Sequence, residues 1–254
     1  MNAAKGWRIA MIPTLRRSQI LEILQASGLE RLPGLAQKMG ISESTLRRDL
    51  KELALRGEVE LLRGGGVRMR RENIERGINE KILLNREEKE RIARYAAELI
   101  HDNDVVYLDP SSLNCILADY IHANNVKVVT NSFEIIRKLM EKGIVCVLVG
   151  GDVKMRTSSC VGPFAQQMMQ DVRFTKSFIG ANGLSVTMGL TSHDSRERAI
   201  KQIAIANSQA AYFLVDSNKY GDVAMYKIAD IDACPVITGK YFDDFEALEN
   251  IIVV

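Results

Sequence analysis

The chain has 254 residues, 46% of them hydrophobic and 26% charged, with a formal net charge of +2 at pH 7. That balance excludes a disordered polymer, and four scattered cysteines (Cys115, Cys146, Cys160, Cys234) with no CxxC pair exclude a disulfide framework or a thiolate metal centre. No apolar run approaches the roughly 20 residues of a spanning helix and nothing reads as a signal peptide, so a cytoplasmic protein with reduced thiols is expected.

The length suits two domains, and the charge divides between them. Residues 1–71 carry 14 Lys and Arg against 7 Asp and Glu, a net of +7, which leaves −5 on residues 72–254. A basic module joined to an acidic one suits a polyanionic partner for the first part alone.

In chain order, Leu15, Ile20, Ile23 and Leu24 make a helical stripe that ends before Ser27-Gly28. Pro33 then opens a short helix through Met39, and Gly40 turns the chain. The next segment, Ile41 to Leu53, begins with Ser42 as N-cap, and Ile41 and Leu46 can form a hydrophobic staple. Glu43 sits in the first turn, where the helix dipole favours negative charge. Leu46, Leu50, Leu53 and Ala54 fall on one face, leaving Ser44, Thr45, Arg47, Arg48 and Lys51 outward. Two helices joined by a glycine turn, the second basic and hydroxylated, suit helix-turn-helix contact with phosphates and base edges. Glu58 to Leu62, Arg63-Gly64-Gly65-Gly66 and Val67 to Met69 then predict a hairpin wing with Arg63 and Gly65 at its tip. Charged residues at these positions would also make an ordinary solvated helix face. Cap, turn, wing and charge asymmetry together favour double-stranded DNA.

Residues 72–90 are expected as a helical connector, and residues 91–254 as a second domain. There, Val105–Leu108, Val126–Val129, Ile144–Val149, Ser177–Ile179, Tyr212–Val215 and Val236–Thr238 are short apolar runs separated mostly by helical stretches, the pattern of a largely parallel α/β sheet. The strands run into Asp109-Pro110-Ser111-Ser112, Thr130-Asn131-Ser132, Gly150-Gly151, Gly180-Ala181-Asn182-Gly183 and Asp216-Ser217-Asn218-Lys219. Each loop alone is ordinary turn chemistry; five converging on one sheet edge predict a ligand crevice with phosphate-binding amides and sugar-binding Asp and Asn. His101, His122 and His193 suit loops or surface better than metal ligation, and no metal, cofactor or catalytic set is expected.

The chain resembles the DeoR family of bacterial transcription regulators over nearly its whole length. The resemblance rests on Leu35-Ala36, Ile41-Ser42, Thr45-Leu46-Arg47-Arg48-Asp49-Leu50 with Leu53, and the Arg63-Gly64-Gly65-Gly66 wing. It implies a repressor with a sugar-phosphate sensor domain similar in fold to ribose-5-phosphate isomerase. It also places effector contacts on Asp109, Ser111, Ser112 and Asn114; on Thr130, Asn131 and Ser132; on Gly150 and Gly151; and on Asn182, Glu197, Lys201, Asp216 and Lys219. The family's first loop usually reads Asp-Ser-Gly-Thr-Thr, where this chain has Pro110 and Asn114. Its Gly-Ala-Asp-Gly turn carries Asn182 here, an amide that cannot act as a general base. The runner-up is an isomerase-like enzyme with a DNA-binding appendage. Homo-oligomerisation is expected, because one helix-turn-helix reads only a few base pairs.

Overall fold

The computed structural model describes residues 12–56, 58–62, 64–69 and 77–254. Two compact units divide the chain, Met1–Glu72 and Asn73–Val254.

The first unit opens with α1 (Pro13–Ser27), closed by Gly28, then β1 (Leu29–Arg31), α2 (Leu32–Met39), α3 (Glu43–Leu55), β2 (Val59–Leu61) and β3 (Gly66–Met69). Gly40 ends α2 in the left-handed region at φ +63°, where a Cβ would be strained, so the turn into α3 falls on a glycine. Ile20, Leu24, Leu35, Leu46, Leu50, Leu53, Val59 and Val67 close into one core. Leu15, expected on the buried stripe of α1, is exposed one turn too early to reach that core. The wing is a three-stranded antiparallel sheet in the order β1-β3-β2, because Leu29–Arg31 pairs with Gly66–Arg68.

The second unit begins with α4 (Ile78–Leu83) and α5 (Arg86–Glu98). Residues 78–90, expected as a connector, pack on this unit's core through Ile78, and Glu88 and Lys89 are buried. Next come β4 (Val105–Leu108), α6 (Ser112–Leu117), β5 (Lys127–Thr130), α7 (Phe133–Glu141), β6 (Val145–Leu148), the hairpin β7 (Asp152–Lys154) and β8 (Ser159–Val161), α8 (Pro163–Gln170) and β9 (Phe174–Gly180). The chain finishes with β10 (Gly183–Ser185), β11 (Gly189–Ser192), α9 (Ser195–Ala206), β12 (Ser208–Leu214), β13 (Tyr226–Ala229), β14 (Val236–Thr238) and β15 (Ile251–Val253).

Seven strands form the central sheet in the order β15-β14-β12-β9-β4-β5-β6, and every neighbouring pair is parallel. All their carboxyl ends therefore share one edge. From β4 the chain steps outward to β5 and β6, then crosses back to β9 and steps outward through β12, β14 and β15. The order reverses between β4 and β9, where open α/β sheets place their ligand crevice. Strands β10, β11 and β13 form a separate antiparallel sheet. Among the described residues, no helix is long and apolar enough to cross a membrane.

Candidate functional site

On α3 the cap forms as its chemistry dictates: the Ser42 hydroxyl accepts from the Thr45 amide at 3.3 Å and also lies 3.0 Å from the Ser44 hydroxyl. Arg47, Arg48 and Lys51 are exposed beyond it, with Arg47 in a loose 3.5 Å pair with Glu43 one turn back. Gly64 and Gly65 turn the wing at φ +84° and +79°. Arg63, expected at the tip, lies outside the described residues.

Sequence reasoning missed what holds α3 in place. Asp49, fully buried inside the Arg-Arg-Asp-Leu run, accepts from Arg16 Nε and from Arg16 Nη2 at 3.1 Å, and from Arg17 Nε at 3.2 Å. The Asp49 hydrogen bond pushes the Arg16 pKa above its ordinary value. Helix α3 is thus tied to α1 by one carboxylate and two guanidinium groups. A carboxylate on the otherwise apolar face of α3 was the signal available in the sequence.

At the switch point of the second unit, the Asp109 carboxylate accepts from the Gly180 amide (3.0 Å), the Asn114 side-chain amide (2.6 Å) and the Lys201 ammonium. Lys201 also donates to the Gly180 carbonyl at 2.9 Å, and Asn114 to the Phe178 carbonyl at 2.7 Å. These groups lock the ends of β4 and β9 to α9. A Cβ on Gly180 would stand 2.5 Å from the Ser111 Cβ, so only glycine lets the first loop pack there. Ser111 caps α6 by accepting from the Asn114 amide, and Ser112 is buried behind it.

One turn before Lys201, Glu197 accepts from the Thr157 hydroxyl at 3.1 Å and pairs with Lys154 at 3.0 Å. Thr157 meets the Ser159 hydroxyl at 2.8 Å, so the β7–β8 hairpin is bonded to α9 one turn from Lys201. Asp194 caps α9; against partial burial, hydrogen bonds from Arg196 and the charge of Lys154 hold its pKa at about 2. Asn131 accepts from the Tyr107 hydroxyl (2.9 Å) and donates to the Cys160 carbonyl (2.7 Å). Burial, then the charges of Asp109 and Glu197, push the Tyr107 pKa well above its ordinary value. Thr130 accepts from the Ser132 amide, and Ser132 caps α7.

Asp216 and Lys219 belong to a neighbouring group. Asp216 faces α5, accepting from Asn85 at 3.5 Å and lying 3.8 Å from Lys89; the Lys219 amide donates to its carbonyl. Ser217 donates its amide and hydroxyl to Glu88 at 2.7 and 2.6 Å. Burial, then the charge of Asp216, raises the Glu88 pKa. Gly150 faces open space and Gly151 lies against Val161 and Ala165. The Asn182 side chain accepts from the His193 amide at 3.2 Å. Lys154, Thr157, Ser159, Tyr107, Asn85 and Glu88 went unread because each reaches the sheet edge through tertiary packing; only Asp194-Ser195, a helix-cap pattern before α9, was visible in the sequence.

A winged helix-turn-helix unit joined to a parallel α/β unit with a polar cluster at its switch point is the build of a ligand-sensing DNA-binding regulator. Residues 16–72 match the DeoR-like helix-turn-helix domain, and residues 84–240 match the DeoR C terminal sensor domain. The chain belongs to the DeoR family of transcriptional regulators. It is 33% identical over 229 residues to the uncharacterized HTH-type transcriptional regulator FruR of Bacillus subtilis, covering 90% of this chain and 91% of that one. It is 30% identical over 214 residues to the lactose phosphotransferase system repressor of Staphylococcus epidermidis, covering 81% and 83%. Among solved structures, ribose 5-phosphate isomerase A of Methanocaldococcus jannaschii aligns over 54% of this chain and 55% of that one, at 19% identity and a TM-score of 0.40.

Proposed function

We propose that this regulator represses a carbohydrate-utilisation operon from the cytoplasm, as a homo-oligomer on double-stranded operator DNA. A phosphorylated sugar entering the crevice at the ends of β4 and β9 releases it. Ser42, Ser44, Thr45, Arg47, Arg48, Lys51 and the wing at Arg63 and Gly65 face the DNA. The five loops and α9 face the effector. The observation that carries this reading is the cluster of Asp109, Asn114, Gly180 and Lys201 at the reversal of strand order, a polar group placed where an α/β sheet admits ligand. The family membership and the name of the staphylococcal relative support the sugar class.

The test is operator release. Fragments flanking the protein's own gene are screened for footprints, and the bound fragment is titrated with pentose and hexose phosphates in a fluorescence anisotropy assay. One class of sugar phosphate is expected to weaken DNA binding and, by linkage, to bind more weakly when DNA is present. If no sugar phosphate shifts either DNA affinity or the melting of the sensor unit, the reading fails. Turnover of the same compounds would favour the isomerase-like alternative, against which stands the amide of Asn182.

A further inference from the structure

We infer that the β6 edge of the sensor sheet is the face on which a second copy of this chain docks, with β6 pairing antiparallel to β6 of its mate. The inference rests on the proposal that the protein works as an oligomer and names the surface.

Strand β6 ends the sheet, bonded to β5 on one side only among the described strands. Its sequence is Val145-Cys146-Val147-Leu148, apolar on both faces. Edge strands that stay in water are usually blunted with lysine, proline or a bulge, since open amides and carbonyls template pairing. β6 has none of these within it. The residues beside it are also apolar and in solvent. At its start, Val145 is 60% exposed and Met140, at the end of α7, is 68% exposed. At its far end the chain runs straight into the hairpin, where Val153 and Met155 are 54% and 84% exposed, and Phe164 at the start of α8 is 74% exposed. The hairpin and α8 are tied in beside the end of the sheet: the Phe133 amide that opens α7 donates to the Ser158 carbonyl of the hairpin at 3.0 Å, and Gly151 packs against Ala165 of α8.

The size of the patch identifies the occupant. At roughly 150–200 Å² for a large side chain, the exposed portions come to about 600 Å² of apolar surface, at the upper limit for a monomer. With the open backbone edge added, this approaches the ~800 Å² that each partner gives to a standard interface. Charge fits a two-fold arrangement. Antiparallel pairing sets the start of one β6 against the end of the other, bringing exposed Glu141 of one copy toward exposed Arg156 of its mate. The opposite edge differs: Ile252 at the centre of β15 packs against the core, and the segment before the strand carries Asp243, Asp244, Glu246 and Glu249.

The full-length protein is measured by light scattering coupled to size exclusion across the micromolar range, alongside Val145→Lys, Phe164→Glu and the control Met225→Lys, an exposed methionine outside the patch. The wild type and the control are expected at twice or four times the chain mass. Both face variants should fall to half the wild-type mass with an unchanged far-UV spectrum, their association weakened about 10- to 100-fold, as for loss of an interface anchor. Because these side chains lie mostly in solvent, the variants fold. A strictly monomeric wild type overturns both the face and the oligomer it rests on. An oligomeric wild type whose face variants keep full mass, or whose control dissociates equally, overturns the face alone.

Discussion

Replacing Asp49 with alanine isolates the element that positions the recognition helix. The carboxylate is buried and takes three hydrogen bonds from Arg16 and Arg17, all charge-assisted. Such bonds contribute about 1.5–3 kcal/mol each, but the three share one acceptor group and do not add. Both arginines keep part of the side chain in solvent, 14% and 20%, and can turn to water once released, so the cost lies below that of stranding a fully buried charge. A loss of about 2–4 kcal/mol follows. Domains this small rarely hold more than ~3–5 kcal/mol, so Asp49→Ala brings the DNA-binding unit close to its unfolding midpoint. Asp49→Asn keeps one acceptor oxygen and should cost about 1–2 kcal/mol. Hydrogen exchange read by mass spectrometry separates the two units: amides of α1 and α3 should lose protection in Asp49→Ala while those of β4, β9 and β12 keep theirs, and operator binding should fall with the first group. Protection within about 0.5 kcal/mol of wild type would place the cluster among ordinary surface ion pairs and refute the reasoning.

Lys201→Ala leaves the Asp109 carboxylate buried without its cation and should cost about 3–5 kcal/mol of sensor stability; Asp109→Asn with Lys201→Met should recover most of it, read as melting temperature. Arg47→Ala and Arg48→Ala should each weaken operator binding by about 1–3 kcal/mol with no change in melting, since both side chains are exposed on α3; wild-type affinity in the double variant would remove α3 from the DNA interface. The raised Glu88 pKa means the folded state binds that proton more tightly than the unfolded chain, so its stabilising contribution is present below the ordinary glutamate range and lost as pH rises through the raised value. Glu88→Gln should flatten the stability profile in that window, and an unchanged slope would contradict the assignment. Asp194, held at about 2, contributes stability above the ordinary aspartate range that is lost as pH falls through about 2. Asp194→Ala should remove that acid limb together with about 1 kcal/mol of capping, measured by urea unfolding at several pH values.

The parts of this molecule legible in the sequence are those governed by local rules. Ser42, Gly40 and the Leu46-Leu50-Leu53 stripe announce α3 because caps, left-handed turns and helical periodicity act over a few residues. The parallel strands announce themselves as buried apolar runs. Strand β1 was not visible, since Leu-Glu-Arg acquires strand geometry only by pairing with β3, and α4 and the first turn of α5 looked like a connector because the groups that bury Glu88 and Lys89 lie more than a hundred residues downstream at Asp216 and Ser217. The same limit applies to the crevice. The family resemblance placed effector contacts on Asp109, Asn114 and Lys201, as if Lys201 were a cation and Asp109 an acceptor open to a ligand. Folding pairs them with each other across 92 residues, and it pairs Lys154 with Glu197 in the same way. Under the proposed function, a dianionic effector would therefore meet a cluster whose charges are already compensated. It would gain from Lys201 only what exceeds the Asp109 contact it displaces, so affinity would have to come chiefly from backbone amides at the loop ends and from sugar hydroxyls that replace the donors Asp109 gives up. Only the difference between those exchanges in the DNA-bound and DNA-free conformations can drive release.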